Sequence, residues 1–144
     1  MPASEPVKIR IASRAERDRV RAAYASHGYH RELNLDVATT WLAESTGQIV
    51  GIVRVAEEEG TLVLRGMRVA PAFQRRQIGT RLLQNIAGWL GQRECYCIPY
   101  RHLSGFYGQI GFVETDGGSA PEFLGERLAD YRQSGLSVIL MRRR

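Results

Sequence analysis
Apolar residues recur along this chain with two different periods, and the places where the period changes mark out its elements. From residue 37 to residue 70 the alternation is that of strands: 37–44, 48–57 and 61–70 read as an antiparallel meander, with turns at 45–47 and 59–60. Directly afterwards Ile78, Leu82, Leu83, Ile86, Ala87 and Leu90 share one helical stripe, while Arg81, Gln84 and Asn85 point elsewhere and Gly91 supplies the stop. Upstream, 7–12 reads as a strand, and Ser13 caps a helix to about residue 26, with Glu16 completing a capping box. Residues 27–36 form an irregular connection. Downstream come a strand at 94–99, a short helix at 102–109, a brief strand at 111–114, a helix at 121–133 and a last strand at 136–141 after Gly135. This order predicts an α/β (α+β) domain over 1–144, a mixed and mostly antiparallel sheet flanked by helices, with residues 1–6 as a disordered start.

One strand breaks its own period. Its apolar positions Leu64, Met67 and Val69 are spaced by three and then two, and one extra residue near Arg65 and Gly66 repairs the register. That is a β-bulge with glycine at the strained position, which unpairs backbone groups and opens a slot beside the strand. The helix after it starts on a cationic turn. Backbone N–H groups of Gln77, Ile78, Gly79 and Thr80 lack intrahelical partners, the helix dipole adds positive potential, and Arg75 and Arg76 raise it further. The junction is suited to an anion such as a phosphate.

These residues resemble the GNAT superfamily of acyl-CoA-dependent N-acyltransferases. Its pattern LxxLxVxPxxQxxGxGxxLL is matched by Leu64, Met67, Val69, Pro71, Gln74, Gly79, Leu82 and Leu83, with Gln77 standing where the first glycine of QxxGxG is expected. A second segment, SGFYGQIGF from Ser104 to Phe112, resembles the family's FYxxxGF. The resemblance implies a sheet splayed at its middle, with a V-shaped gap between the strand ending near Val69 and the strand at 94–99. It implies acetyl-CoA as cofactor, held by Met67, Arg68 and Val69 at the splay and by Gln74, Arg75, Arg76, Gln77, Ile78, Gly79 and Thr80 at the pyrophosphate. Tyr107 then matches a tyrosine that protonates the departing thiolate, a role suited to a phenol at neutral pH. A packing aromatic beside Phe106 and Phe112 is the other reading of it.

Composition narrows the partners. The net charge of +5 comes from arginine, with Lys8 the sole lysine, and it suits an anionic ligand as well as nucleic acid. The arginines are scattered, no recognition-helix or aromatic-platform pattern is present, and neither GxxxxGK[ST] nor GxGxxG occurs. Nucleic acid is therefore not an expected partner. No apolar run reaches the length of a membrane span, so the protein reads as cytoplasmic. Cys95 and Cys97 neither staple a domain nor complete a metal site, and no metal is expected. Glu57, Glu58 and Glu59 read as a solvated hairpin turn, and Arg142, Arg143 and Arg144 as a solvated tail.

The acceptor side is thinner. Many relatives carry a glutamate early on the bulged strand, where this chain has Val63. Glu44, Glu57 and His102 are candidate bases, with a water relay as the alternative. Arg54 and Arg65 lie on neighbouring predicted strands and could grip a carboxylate, or could pair with Glu44 or Glu57. The expected function is transfer of an acetyl group from acetyl-CoA to a primary amine of a small, amino-acid-like molecule, by direct attack. A non-catalytic acyl-CoA-binding or interaction module is the alternative, for which Gln77 and Val63 speak. A homodimer is left open.

Overall fold
The structure is a computed structural model that describes residues 6–29 and 33–144. Of the predicted disordered start only Pro6 lies within the described residues. Seven strands form one sheet: β1 (Lys8–Ile11), β2 (Ala38–Ser45), β3 (Gln48–Glu58), β4 (Thr61–Val69), β5 (Cys95–Cys97), β6 (Val113–Thr115) and β7 (Leu140–Arg143), in the order β1-β2-β3-β4-β5-β7-β6. Every described pairing is antiparallel except that of β4 with β5. This is the predicted mixed, mostly antiparallel sheet, and four helices flank it: α1 (Arg17–Ser26), α2 (Ile78–Leu90), α3 (Ser104–Gly108) and α4 (Glu122–Gln133).

The helices divide between the two faces because their apolar stripes do. Ile78, Leu82, Leu83, Ile86 and Leu90 of α2 are all buried, and with Tyr107 of α3 they pack against Trp41, Val53, Val55 and Leu64. Burial of each such side chain stabilises the fold by about 1.5–3 kcal/mol. On the other face Val20 and Tyr24 of α1 meet Leu42 and Ile52, while Leu124 and Leu128 of α4 meet Val63, Tyr96 and Leu140. The capping box forms: the backbone N–H of Ser13 donates to Glu16 Oε1 at 2.9 Å, within a 3-10 turn (Arg14–Glu16) that leads into α1.

Two sequence expectations need correction. The last strand begins at Leu140 and runs to Arg143, four residues later than predicted at its start, because β7 must reach both β5 and β6. Arg142 and Arg143 are therefore ladder residues, not a solvated tail: Arg142 Nε donates to Glu94 Oε2 at 2.6 Å and Arg143 Nε to the Ile110 carbonyl at 2.5 Å. Likewise β3 continues through Glu58. The tight turn is confined to Glu59 and Gly60, both at positive φ, and Glu58 is half-buried against α4.

Candidate active site
The bulge lies where the broken period places it. Ile52 pairs with Arg68 and Arg54 with Arg65, so two residues of β4, Gly66 and Met67, oppose the single residue Val53 of β3. Gly66 takes φ +69°. A Cβ there would collide with Arg54 Nη1 and lie 2.7 Å from Tyr24 Oη, so both conformation and space require glycine. On its other edge β4 pairs with β5 only at Val63 and Leu64; beyond them the strands part, and the β5-side edge of β4 is left without a strand partner. The parting makes a cleft of about 290 Å³, lined on one wall by Val63 to Arg68 and on the other by Cys97 to Tyr100, with Leu103 and Tyr107 on one side of the sheet and Tyr29, Arg127 and Tyr131 on the other.

At the end of β4 the chain turns through Pro71–Phe73 into α2, and Gln74 Nε2 holds the Val69 carbonyl at 3.1 Å. Arg75 and Gln77 then adopt left-handed backbone, at φ 65° and 64°, and Gln77 is the N-cap of α2. Neither residue prefers that region. The strain sits where the family pattern has a glycine, on the turn whose amides face outward from the helix start. Gly79 has a separate reason for being small: a Cβ would lie 2.9 Å from Phe106 Cζ, so α2 and α3 touch there. Thr80 Oγ1 adds a hydrogen bond to Gln109 Oε1 at 3.3 Å.

That contact positions α3 and with it Tyr107. The phenol is 6% exposed, packs edge-on against Phe106 and Phe112, and lines the cleft beside Cys97. Burial pushes it well above the ordinary phenol range, the Cys97 thiol adds to the shift, and Arg68 opposes it. Tyr107 is thus a protonated donor at any physiological pH. Burial also raises both thiols, Cys95 to about 12.

Arg65 and Arg68 line the cleft on the opposite side of the sheet; Arg54 does not. Arg54 is 3% exposed beneath Gly66, donates to Tyr29 Oη at 2.9 Å, and leaves Nη1 without a hydrogen-bond partner beside an equally unpartnered Tyr24 Oη. Arg65 shares Glu58 with Arg127, whose two terminal nitrogens hold the carboxylate at 2.7 and 3.1 Å. The candidate bases are scattered. Glu44 is clamped by Arg10 at 2.6 Å and Arg19 at 2.7 Å, which hold its carboxyl below the usual range, and it is not a cleft residue. Glu57 is exposed on β3, and His102 is exposed and stacked on Tyr100 at 5.9 Å between centroids. No carboxylate or histidine lines the cleft among the described residues. Sequence reasoning missed Tyr29, Glu58 and Arg127: the first lies in an irregular connection and the other two meet across 69 residues, with no local period to announce them.

A splayed sheet, a cationic helix start and a buried phenol at the splay are the parts of an acyl-CoA-dependent acyltransferase. A profile of the acetyltransferase (GNAT) domain matches residues 36–114, more than half of the chain, and the protein belongs to that family. Among curated proteins none matches it in sequence. Among solved structures it is similar to a GNAT acetyltransferase of Staphylococcus aureus Mu50, at 16% identity over 96% of this chain and 98% of that one, with a TM-score of 0.66. N-acetylglutamate synthase of Neisseria gonorrhoeae, complexed with coenzyme A and N-acetyl-glutamate, aligns at 21% identity over 96% of this chain and 35% of its own, TM-score 0.68. The PaiA N-acetyltransferase of Thermoplasma acidophilum, in complex with coenzyme A, aligns at 14% identity over 96% and 99%, TM-score 0.62. The residues present fit such a cofactor: an unpaired strand edge for an amide-bearing arm, free helix amides with Arg75 and Arg76 for a pyrophosphate, and a cleft without carboxylates among its described lining residues.

Proposed function
We propose that the protein transfers an acetyl group from acetyl-CoA to the primary amine of a small molecule that also carries a negative group, such as an amino acid. The bound thioester would supply an activated acyl group. The chain's own residues do the rest. Met67, Arg68 and Val69 offer backbone to it along the splayed edge of β4, and the turn from Gln74 to Thr80 holds its phosphates. Tyr107 donates its hydroxyl proton to the departing sulfur, since a buried phenol is both protonated and close to the apolar end of the cleft. Arg65, held by Glu58 only at 3.5 Å, receives the acceptor's anionic group in a charge-assisted contact, with Arg68 beside it on the same wall.

The observation that carries this reading is the cleft itself, which passes through the sheet and joins a dry wall bearing Tyr107 to a cationic wall bearing Arg65, Arg68 and Arg127. The test is thiol release from acetyl-CoA across matched pairs of amines, each amino acid against its carboxamide. Faster turnover of the carboxylates is expected. Equal rates for both would remove the anionic acceptor, and no release with any amine would favour the non-catalytic module, for which the strained Gln77 speaks.

A further inference from the structure
The acceptor side of the cleft holds a second phenol whose surroundings are the reverse of those of Tyr107. Tyr29 follows α1, is half-buried and lines the cleft. Its hydroxyl accepts the hydrogen bond from Arg54 Nη2 at 2.9 Å, and the guanidinium carbons of Arg54 and Arg68 lie 5.2 and 5.4 Å from its ring centroid. Arg127 of α4 lines the same cleft, near enough for a charge on Tyr29 to act on its guanidinium. Two other ionisable groups among the described residues are disposed against taking a proton. Tyr24, with its ring 5.0 Å away, is fully buried and pushed up to about 12 by that burial, and Glu58 is occupied by Arg65 and Arg127.

Arg54 cannot lose its proton, and no carboxylate among the described residues pairs with it. Glu58 acts on Arg54 only at longer range, and a buried cation with no carboxylate in direct contact favours negative charge on the atom it already donates to. Two phenols at one cleft thereby stand in opposite surroundings, Tyr107 in an apolar wall that keeps it protonated and Tyr29 against the guanidiniums of Arg54 and Arg68, and such divergence marks an acid and a base. We propose that Tyr29, held by Arg54 and flanked by Arg68 and Arg127, accepts the proton of the incoming amine. This rests on the acyl-transfer reading above. The phenolate oxygen takes a proton from the acceptor's ammonium group: an N–H bond breaks, an O–H bond forms, and nitrogen keeps the electron pair with which it attacks. The proton then passes to water at the mouth of the cleft, which restores the phenolate. Arg54 acts through Tyr29 and is a positioning residue.

The test pairs a spectroscopic titration with a pH profile. Tyrosinate absorbance of the wild type, titrated without any acyl donor, should contain one tyrosine that ionises ahead of the others. Tyr29→Phe should remove that component, lower kcat/KM by about 10²–10⁴-fold and abolish the acid limb of its pH profile. Arg68→Gln, at a half-exposed position that leaves the core intact, should move the early component toward alkaline pH. An active wild type whose tyrosinate titration or kcat/KM profile is unaltered by Tyr29→Phe overturns the assignment alone. A wild type that acylates no amine overturns acyl transfer and the role of Tyr29 together, whatever the titration shows.

Discussion

The two faces of the sheet meet at one cleft with opposite electrostatics. Toward α2 and α3 the lining is Met67, Leu103, Cys97 and Tyr107, uncharged and dry, and burial holds every ionisable group there in its neutral form. Toward α1 and α4 stand Arg54, Arg65, Arg68 and Arg127 with Glu58 as their one ion-paired carboxylate among the described residues. The bulge makes this division. Residues alternate across a strand, so Arg65 and Arg68, three apart, would face opposite ways on a regular β4. The extra residue at Gly66 returns them to the same face, and it does the same for Leu64 and Met67 on the other. A single inserted residue therefore separates an apolar wall bearing a phenol from a cationic one.

The comparison breaks most visibly if the dry wall loses its donor. Tyr107→Phe keeps the ring and its packing on Phe106 and Phe112, so kcat should fall by about 10²–10⁴-fold while calorimetry finds acetyl-CoA binding unchanged. Pre-steady-state kinetics that show the same chemical step in both proteins would remove Tyr107 as the acid.

Next in size is the seam between the faces. Gly66→Val forces a β-branched residue to positive φ and drives its side chain into Arg54 and Tyr24, so denaturant unfolding should register a loss of about 2–4 kcal/mol.

Within the cationic wall, Glu58→Gln should cost about 2 kcal/mol near neutrality, since it breaks charge-assisted hydrogen bonds to Arg127 and leaves the guanidiniums facing one another. Burial raises the Glu58 carboxyl, but Arg127, Arg65 and Arg54 outweigh it and the folded value lies below the usual range. Stability from this pairing is complete above the unfolded carboxylate's value and is lost as pH falls through the folded one. Wild type and variant should therefore converge in acid, and a difference that persists there would mean that packing, not charge, is responsible.

Arg65→Ala is the milder cut. It should raise the acceptor's KM about tenfold, with little change in kcat or in the KM for acetyl-CoA, a difference of roughly 1.4 kcal/mol confined to the cationic wall. An unchanged KM would mean that Arg65 serves only Glu58.

The smallest effect sharpens the donor side. Gln77→Gly removes a left-handed non-glycine from the phosphate turn, and relief of about 1 kcal/mol of strain already present without ligand should appear in denaturant unfolding while coenzyme A binding in calorimetry stays unchanged. Weaker binding would show that the Gln77 side chain itself takes part.

Much of the donor half was legible along the chain because its determinants are local. The stripe from Ile78 to Leu90, the broken spacing at Leu64, Met67 and Val69, and the position of Tyr107 within one short helix each span few residues, and local period reads them. The acceptor half was not. Arg54 could be placed on a strand beside Arg65, but not beneath Gly66 at 3% exposure, and Glu58 read as a turn residue until α4 brought Arg127 to it. Glu44 and His102 looked eligible as bases by residue type alone, but Glu44 is held on β2 by Arg10 and Arg19, and His102 is exposed and stacks on Tyr100 without itself lining the cleft.

By itself the sequence determined the elements, the bulge and the cationic turn, since these follow from hydrophobic period, glycine's access to positive φ and the unpaired amides of a helix start. Only the tertiary structure decided which charges share a wall. A sheet ordered β1-β2-β3-β4-β5-β7-β6 brings Tyr29 from the segment after α1, Arg54 and Arg68 from β3 and β4, and Arg127 from α4 to one cleft, and the surroundings of each phenol depend on that shared burial and field rather than on its neighbours in sequence.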